Sequence, residues 1–265
     1  MKKRYLTLSG PIAIALYLFL YLPIVVVIVY SFNEARFGSV WQGFTTKWYG
    51  ALWKNEVAMD ALKNTFILAG ISTALSTVMG TALGYGLSRY QFPGKRLFNG
   101  FLHVPVFIPD IVLAVSMLLF YSMARKHFQL FELGMPTMIM AHITFQIPFV
   151  AIVVRSRLAN WDASLEEAAS DLGCNPWQTF RQITLPLMMP GIMAGSILAF
   201  TLSLDDFVVS FFTSGAGSTT VPILVYSSVK RGITPEINAL STLVILASTI
   251  TAIFIALLQR NRKYE

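Results

Sequence analysis

Six long apolar segments constrain the fold of this chain more than any other feature of its sequence. A helix that crosses the hydrocarbon core of a bilayer needs about 20 mostly apolar residues, and in lipid the backbone must satisfy its hydrogen bonds within such helices. The segments that reach this length are residues 11–32, 64–87, 97–123, 136–156, 188–211 and 237–258. We therefore expect an all-α membrane protein with six transmembrane helices, folded as a single domain over residues 1–265.

The composition agrees with a membrane protein. Hydrophobic residues make up 55% of the chain and charged residues only 12%, a balance that excludes an ordinary soluble domain. The net charge of +7 is compatible with binding to nucleic acid. However, the basic residues lie in short clusters between apolar segments and form no basic helix or RNA-binding motif. We expect membrane lipid around the helices and no nucleic-acid partner.

The distribution of Lys and Arg predicts the orientation of the helices. If both termini are cytoplasmic, twelve of the 20 Lys and Arg residues lie on the cytoplasmic side and eight on the outer side. The basic cluster from Lys2 to Arg4, before the first apolar segment, is also typical of a signal peptide. That apolar segment is too long for a signal peptide and has no small-x-small cleavage site, so we expect it to remain as an anchor.

Small residues and prolines in the apolar segments predict how the helices pack and bend. Gly80 and Gly84 have the small-xxx-small spacing that permits close helix packing. The prolines that we expect to kink the spans are Pro105, Pro109, Pro148 and Pro190.

The chain has no recognisable motif for catalysis, nucleotide binding or metal ligation. It contains no Walker A sequence, no H-E-x-x-H and no G-x-S-x-G. His103, His127 and His142 lack metal-ligand spacing, and we interpret His142 as a hydrogen-bonding residue inside the helix bundle. The single cysteine, Cys174, excludes an internal disulfide and is compatible with a reduced compartment. We expect a protein that is not an enzyme and binds no cofactor.

The polar segment at residues 157–187 predicts a helical hairpin beside the membrane. It lies between two apolar segments and is the most polar stretch in the second half of the chain. Ser164 and Glu167 have the spacing of a capping box at a helix start. Gly173 is expected to end this first helix.

A second short helix is predicted after the turn. Asn175 is a favoured cap residue, and Pro176 suits the first helical position, where its missing N–H does no harm. Pro186 is expected to end the segment, because a proline disfavours the helical conformation of the preceding residue, here Leu185. The segment is therefore predicted to be two short helices joined by a tight turn.

The same segment carries a spaced set of residues that resembles the EAA loop of bacterial ABC-importer permeases. The set comprises Glu167, Ala168 and Ala169, then Gly173 after three residues, then Ile183, Leu185 and Pro186 after nine more. The resemblance implies an ABC importer type I permease fold in the bacterial inner membrane, with this loop in the cytoplasm. It also implies that the first helix of the loop docks in a groove on a separate ATP-hydrolysing subunit, which binds ATP and Mg²⁺. The small side chains in the set would let such a partner approach closely.

Three carboxylates lie within predicted spans, Asp110 in the third and the pair Asp205 and Asp206 in the fifth. Ionised groups inside a membrane are costly and are candidates for function, and neither of these two spans contains Lys or Arg. One interpretation places Asp205 and Asp206 at the outer interface and lets Asp110 bond to a backbone break near Pro109. The other is that all three bind a cargo with several ammonium groups.

The first outer segment, residues 33–64, is rich in aromatic residues. Such a cluster is typical of a helix that lies at the membrane interface. Alternatively, Trp48 or Trp53 faces the transport path and holds a cation over its ring. The residues alone leave both interpretations open.

Further stretches resemble the second membrane subunit of bacterial spermidine/putrescine importers over nearly the whole chain. These stretches are residues 36–38, 41–49, 109–111, 142–145, 201–206 and 235–239. The resemblance implies a heterodimer with a paralogous permease, two copies of an ATP-binding subunit and a periplasmic polyamine-binding protein. Motion of the loop, driven by ATP, would then pass the polyamine inward by alternating access. The candidate polyamine contacts that it implies are Trp48, Asp110, Ser203, Asp205 and Asp206, with Glu167 as the coupling residue.

Three other functions remain compatible with the residues. A permease of an ABC importer for another small solute, such as an amino acid, a sugar or an opine-like compound, would share the loop. A gradient-driven secondary transporter could use Asp110 but would not need the loop from Glu167 to Pro186. A membrane-embedded enzyme is disfavoured, because no pair of nucleophile and base and no metal-binding set stands out.

Overall fold

The computed structural model describes residues 2–35, 40–129, 131–159, 164–232 and 234–261, with side chains described throughout these ranges except at 2–9, 231 and 251–261. Residues 36–38 of the sequence resemblance and residues 160–163 of the predicted loop lie outside them. In chain order the elements are α1 (Lys2–Tyr30), α2 (Lys47–Leu52), α3 (Glu56–Arg89), α4 (Lys95–Phe107), α5 (Asp110–Phe128), α6 (Met135–Leu158), α7 (Ser164–Asp171), α8 (Pro176–Thr179), a π-helical turn (Phe180–Thr184), α9 (Leu185–Asp205), α10 (Val208–Thr213), α11 (Val221–Arg231) and α12 (Pro235–Asn261). The all-α prediction is confirmed, because the described residues contain helices and a single isolated bridge between Asn33 and Phe44.

The long helices agree with the predicted transmembrane segments in number. The described helical segments that are long and apolar enough to cross a membrane are Gly10–Tyr30, Glu56–Arg89, Asp110–Phe128, Met135–Leu158 and Pro176–Asp205. α12 has 27 residues, of which the described apolar part covers Pro235–Ile250. With α12 as the last span, the chain has six transmembrane helices.

The third predicted segment is not one continuous helix. α4 ends at Phe107 and α5 begins at Asp110, and between them Ile108 is extended with φ −77° and ψ 131°. The single span predicted over residues 97–123 is therefore two helices, and the interruption falls at Pro109, where the sequence predicted a kink. The physical reason is Pro109, which has no N–H to donate and sterically disfavours a helical conformation of the preceding residue.

The fifth predicted segment, residues 188–211, is also interrupted. α9 ends at Asp205, Asp206 has the extended ψ of 122°, and the short α10 follows. The prediction of a continuous span to residue 211 is therefore wrong. The physical reason is that the Asp206 side chain can accept hydrogen bonds from the amides that begin a new helix, which offers the backbone an alternative to continuing α9.

The described chain divides into two compact units. One comprises Met1–Met59 and Leu224–Glu265, and in it α12 packs against both α1 and α2. The other comprises Asp60–Ile223, and in it α6 packs against α4, α9 and α10. This second unit contains the polar loop and the carboxylates of the third and fifth predicted spans.

Glycines let α3 approach α6 closely. A Cβ atom on Gly80 would lie 2.7 Å from Val150 Cβ, and a Cβ atom on Gly84 would lie 2.8 Å from Ala151 O. Distances this short are not tolerated between real side chains and their neighbours, so these positions need glycine. The close packing predicted from the small-xxx-small spacing is confirmed.

Candidate functional site

The first helix of the polar loop ends at a glycine in the left-handed conformation. Gly173 has φ +83°. The N–H of Cys174 donates to Ala169 O at 3.0 Å, and the N–H of Gly173 donates to Ser170 O at 2.9 Å. These two bonds form a Schellman motif. The predicted end of the first helix is therefore confirmed.

The second helix of the loop begins with a reciprocal cap. Asn175 Oδ1 accepts a hydrogen bond from the N–H of Gln178, and Gln178 Oε1 accepts one from the N–H of Asn175, both at 2.9 Å. Pro176 occupies the first helical position. The predicted start of this helix is confirmed. The capping box predicted for Ser164 stays a prediction, because the residues just before it lie outside the described part of the chain.

The chain does not end its second helix at Pro186. α8 passes through the π-helical turn directly into α9, and the N–H of Leu185 donates to Phe180 O, five residues back. Leu185 itself is helical, with φ −63° and ψ −46°. The prediction that Pro186 closes the segment is therefore wrong. Pro186 sits in the first turn of α9, where the hydrogen-bond register restarts after the π turn and a missing N–H is tolerated.

The two neighbouring glutamates of α7 have different environments. Glu166 Oε2 forms an ion pair with Nη2 of Arg89, the last residue of α3. The other oxygen of this carboxylate, Oε1, accepts a hydrogen bond from the Thr184 hydroxyl at 2.8 Å. Glu167 is exposed, because successive residues of a helix point about 100° apart. Sequence reasoning singled out Glu167 and missed Glu166, whose partners are distant in the chain.

Part of the outward surface of α7 and the residue that follows it is an apolar face, beside exposed polar side chains of the same helix. Leu165, Ala168 and Leu172 have the i, i+3, i+7 spacing of one helix face, and all three are exposed, Leu172 by 86%. Trp177 of α8 is 67% exposed as well. Ala169, on the inner face, is buried. Exposed apolar side chains clustered on a polar loop indicate contact with another protein, and their helical spacing is a signal that the sequence interpretation did not use.

The remaining predicted coupling residues lie at the base of α9. Ile183 is in the π-helical turn and Leu185 begins α9, and both are half-buried. Pro186 follows and is exposed. Because α9 runs from these residues to Asp205, one helix connects the polar loop with the fifth-segment carboxylates.

A second polar site lies where α6 meets the break between α9 and α10. His142 of α6 is fully buried. Its Nδ1 is 2.7 Å from Ser203 Oγ, and its Nε2 is 3.0 Å from Ser210 Oγ. Its Nε2 also lies 3.3 Å from Asp206 Oδ2. The interpretation of His142 as a hydrogen-bonding residue inside the bundle is confirmed.

Asp206 organises the backbone at this break. Its Oδ2 accepts a hydrogen bond from the N–H of Ser210 at 2.7 Å, and its Oδ1 accepts one from the N–H of Val209 at 3.3 Å. Asp206 thus caps the start of α10, and its side chain is 11% exposed. Asp205, the last residue of α9, is exposed. The two adjacent carboxylates therefore differ in access, and Asp205 is the accessible one.

The polar contacts continue from Ser203 to neighbouring helices. Ser203 Oγ is 3.3 Å from Ser72 Oγ of α3. Gln146 Nε2 of α6 donates to Ser72 Oγ at 3.3 Å and to Ala199 O at 3.2 Å. The Ser76 hydroxyl donates to Gln146 Oε1 at 2.8 Å. Ser203 is therefore a buried member of a hydrogen-bond chain that joins α3, α6 and α9.

Asp110 stands at another helix start. It is the first residue of α5, it follows the break at Pro109, and it is exposed. A carboxylate in the first turn interacts favourably with the positive end of the helix dipole. The structure thus brings Ser203 and Asp206 together around His142 and leaves Asp110 and Asp205 accessible.

Trp48 has a different environment from the one expected of a cargo contact. It lies in α2 and is 7% exposed. Its Nε1–H donates to Asn33 O at 2.6 Å, and Lys47 Nζ lies 4.8 Å from the centroid of its ring. Trp53, in contrast, is exposed. A buried ring that already faces a lysine of its own chain offers little surface to another cation, so this placement gives no support to Trp48 as a cargo contact.

The two sites present groups that can bind a cation or a protein partner. In the part of the chain that the structure describes, no group of three or more His, Cys, Asp or Glu side chains could hold a metal ion. The exposed carboxylates can pair with cations, and the apolar face of α7 can dock a protein partner.

Residues 76–263 match a family described as "Binding-protein-dependent transport system inner membrane component". The matched range contains the polar loop, the cluster around His142 and both exposed carboxylates, and it begins after Trp48.

Several curated proteins are similar to this chain over most of its length. The spermidine/putrescine transport system permease protein PotC of Escherichia coli (strain K12) is 41% identical over 234 residues, which cover 88% of this chain and 87% of that protein. The putrescine transport system permease protein PotI of the same strain is 42% identical over 219 residues, which cover 82% and 78%. PotC of Haemophilus influenzae is 37% identical over 234 residues, which cover 88% and 89%.

Solved structures share the fold. A crystal structure of a bacterial ABC transporter involved in the import of the acidic polysaccharide alginate matches with a TM-score of 0.74 and 18% identity, over 98% of this chain and 96% of that one. An inward-facing structure of the MetNI methionine ABC transporter matches with a TM-score of 0.63 and 19% identity, over 82% of this chain and 99% of that one. At these identities the likeness concerns the fold alone.

Proposed function

Because this chain belongs to the family of binding-protein-dependent transport system inner membrane components, we propose that it is a membrane subunit of an ATP-driven importer that carries polyamines into the cytoplasm. The observation that supports polyamines as the cargo is the 41% identity, over 88% of the chain, with a permease protein named for spermidine and putrescine transport. The expectations drawn from the sequence resemblance point to the same function.

The exposed carboxylates are the groups that suit a polyamine. A polyamine carries several ammonium groups separated by short methylene chains, so it needs negative charges at more than one place along its path. Asp110 and Asp205 are accessible, and each stands at the end of a membrane-spanning helix. Pairing with an ammonium group reduces the cost of holding an ionised carboxylate within the membrane. We assign the direct cargo contacts to these two residues.

Ser203 and Asp206 support the cargo path indirectly in this account. Both are held by His142, and Asp206 caps α10. Their contacts fix the break between α9 and α10, and this break determines where Asp205 is presented. Trp48 is not included among the cargo contacts, because its ring is buried and its N–H is already donated to Asn33.

The polar loop is the proposed contact with the ATP-hydrolysing subunit. Its outward face presents Leu165, Ala168 and Leu172 beside the exposed carboxylate of Glu167. An apolar patch bordered by a charge is typical of a protein interface, in which the apolar area contributes affinity and the charge fixes the register. ATP and Mg²⁺ bind to that partner, and this chain binds no cofactor itself.

The remaining partners follow from the proposed class. The chain pairs with a paralogous permease to form the membrane channel, two ATP-binding subunits dock on the cytoplasmic loops, and a periplasmic polyamine-binding protein delivers the cargo. Both termini of this chain are cytoplasmic in this arrangement, as its Lys and Arg distribution predicts. ATP-driven closure of the two ATP-binding subunits moves the loops and switches the channel from outward to inward access.

Cargo competition in vesicles tests this proposal. The full complex is reconstituted with ATP, and uptake of labelled spermidine is measured against excess putrescine, arginine, methionine and maltose. We expect only the polyamines to compete. Asp205→Asn should raise the KM for spermidine about tenfold, which corresponds to about 1.4 kcal/mol of lost ion pairing. Glu132→Gln, which removes an exposed carboxylate between α5 and α6, is the matched control. Competition by arginine or maltose but not by putrescine would contradict the polyamine assignment.

A further inference from the structure

The carboxylate of Glu166 joins three parts of the chain that are far apart in sequence. Through Oε2 it pairs with Arg89 at the end of α3, and through Oε1 it accepts the hydrogen bond from Thr184 at the base of α9. Glu166 itself lies in the first turn of α7. We refer to Glu166, Arg89 and Thr184 as the carboxylate clamp. The two oxygens of this one side chain thus hold α7, the first helix of the polar loop, against the ends of two spanning helices.

The surroundings of the clamp restrict its movement. The Thr184 side chain is 1% exposed. The side chains of Arg89 and Glu166 are 27% and 19% exposed, respectively. The charges also match the helix ends, since Arg89 is the last residue of α3 and Glu166 lies in the first turn of α7, and each is favoured by the adjacent helix dipole. The clamp therefore has one favoured arrangement of charges and bonds.

Aromatic contacts join the same elements beside the clamp. The ring of Tyr85 of α3 packs edge-on against Phe180 of the π-helical turn, with 5.6 Å between centroids. Phe180 in turn stacks on Trp177 of α8 at 5.8 Å. The loop is therefore attached to α3 by an ion pair and by an aromatic contact. These attachments lie on the side of the loop that packs against the protein's own helices, whereas Glu167 and the apolar face of α7 are exposed.

Stability alone is a weak explanation for the clamp. Ion pairs that are partly exposed to solvent contribute little to the free energy of unfolding. What the clamp does fix is the position of α7 relative to the ends of two spanning helices. If α7 is displaced by a partner, the displacement must move Arg89 and Thr184 as well, or break the ion pair.

We propose that Glu166 is the positioning residue that transmits motion of the docked loop to the membrane helices, through Arg89 to α3 and through Thr184 to α9. Glu167 faces the ATP-hydrolysing subunit, and its neighbour Glu166 faces the protein's own spans. This inference rests on the proposed function, because it requires an ATP-driven partner at the loop. It adds a division of roles between two adjacent glutamates, of which the resemblance singled out only Glu167.

The test compares transport with ATP hydrolysis in the assembled complex. Glu166→Gln and Arg89→Gln each remove one charge of the clamp, and the double variant Glu166→Arg/Arg89→Glu restores the pair with its charges exchanged. Asp171→Asn, which removes an exposed carboxylate from the same helix, is the matched control. The readouts are retention of the ATP-hydrolysing subunit on purification, the rate of ATP hydrolysis, and the amount of spermidine taken up per ATP hydrolysed.

We expect both single variants to retain the ATP-hydrolysing subunit and its activity while uptake per ATP falls about fivefold or more, the range typical of lost coupling between two sites. The exchanged pair should recover most of the coupling, and the control should be unchanged. Unchanged coupling in Glu166→Gln, loss of the ATP-hydrolysing subunit in that variant, or an exchanged pair no better than the single variants would overturn the inference. If the native complex itself takes up no spermidine with ATP, the proposed function fails instead, and the native complex reveals this before any variant is compared.

Discussion

Nε2 of His142 lies 3.3 Å from Oδ2 of Asp206, so a side chain of α6 contacts the carboxylate that caps the start of α10. The same imidazole contacts Ser203 near the end of α9. Because a single fully buried residue makes these contacts, His142 holds both sides of the break between α9 and α10. The position of the accessible carboxylate of Asp205 depends on this arrangement.

Removal of the imidazole should destabilise the protein. His142→Ala removes the partner that Ser203, Ser210 and Asp206 share. Ser203 and Asp206 keep other hydrogen bonds, and each buried polar group that is left unsatisfied costs about 1–3 kcal/mol. We expect a lower thermal unfolding midpoint of the purified complex in detergent. Thr144→Val is the matched control on the same helix, because the Thr144 hydroxyl is exposed and donates only to Met140 O of its own helix among the described contacts. Equal unfolding midpoints for the native and His142→Ala complexes would show that the cluster does not hold the break.

The approach of α3 to α6 should tolerate no side chain at Gly84. A Cβ there would meet Ala151 O at 2.8 Å, and a backbone atom cannot rotate away. Gly84→Ala should therefore lower the free energy of unfolding by about 1–3 kcal/mol, the usual cost of overpacking. At Gly86, two residues along the same helix, a Cβ would have no neighbour within 4 Å. Gly86→Ala should be neutral or stabilising by up to about 1 kcal/mol, because alanine favours helix. The same loss of stability in both variants would argue against close packing at Gly84.

The end of α7 should require a residue that tolerates the left-handed conformation. Gly173 has φ +83°, and an L residue with a Cβ pays about 1–2 kcal/mol in this region. Gly173→Ala should weaken binding of the ATP-hydrolysing subunit by about tenfold for each 1.4 kcal/mol of strain. Gly173→Asn should weaken it less, because asparagine adopts this conformation more readily. The measurement is the dissociation constant for the ATP-hydrolysing subunit. If Gly173→Ala binds it as tightly as the native chain, the Schellman motif is not important for docking.

The sequence predicted those features that depend on neighbouring residues. The Schellman glycine at Gly173 and the cap of Asn175 follow from local backbone chemistry, and both were found where the sequence indicated them. The close approach at Gly80 and Gly84 follows from helical spacing. His142 was identified as a bonded residue because a polar ring in an apolar helix must find partners.

Features that depend on distant residues were not predictable in this way. Glu166 pairs with Arg89, which lies 77 residues earlier in the chain, since 166 minus 89 is 77. The proline at position 109 marked a distortion of its span, but the break at Asp206 was missed because the apolar composition of the segment continues on both sides of it. The role expected for Pro186 was wrong because the helix continues through the π-helical turn into α9. No local sequence pattern predicted that turn.

Trp48 provides a test that separates a structural role from a cargo role. Trp48→Phe keeps an aromatic ring but removes the N–H that donates to Asn33 O at 2.6 Å. We expect a loss of stability of about 1 kcal/mol, the net value of a typical hydrogen bond, with an unchanged KM for spermidine. The measurements are the thermal midpoint and the uptake kinetics of the same preparation. A raised KM at unchanged stability would instead identify Trp48 as a cargo contact.

ATP-dependent uptake of radiolabelled spermidine by vesicles that contain the full complex tests the central claim most directly. The native chain is compared with Glu167→Arg and Asp110→Asn, and retention of the ATP-hydrolysing subunit is measured in each. The account predicts uptake by the native complex only with hydrolysable ATP, loss of both the subunit and uptake with Glu167→Arg, and loss of uptake with the subunit retained for Asp110→Asn. Uptake that continues without ATP, or that both substitutions leave unchanged, would contradict the account.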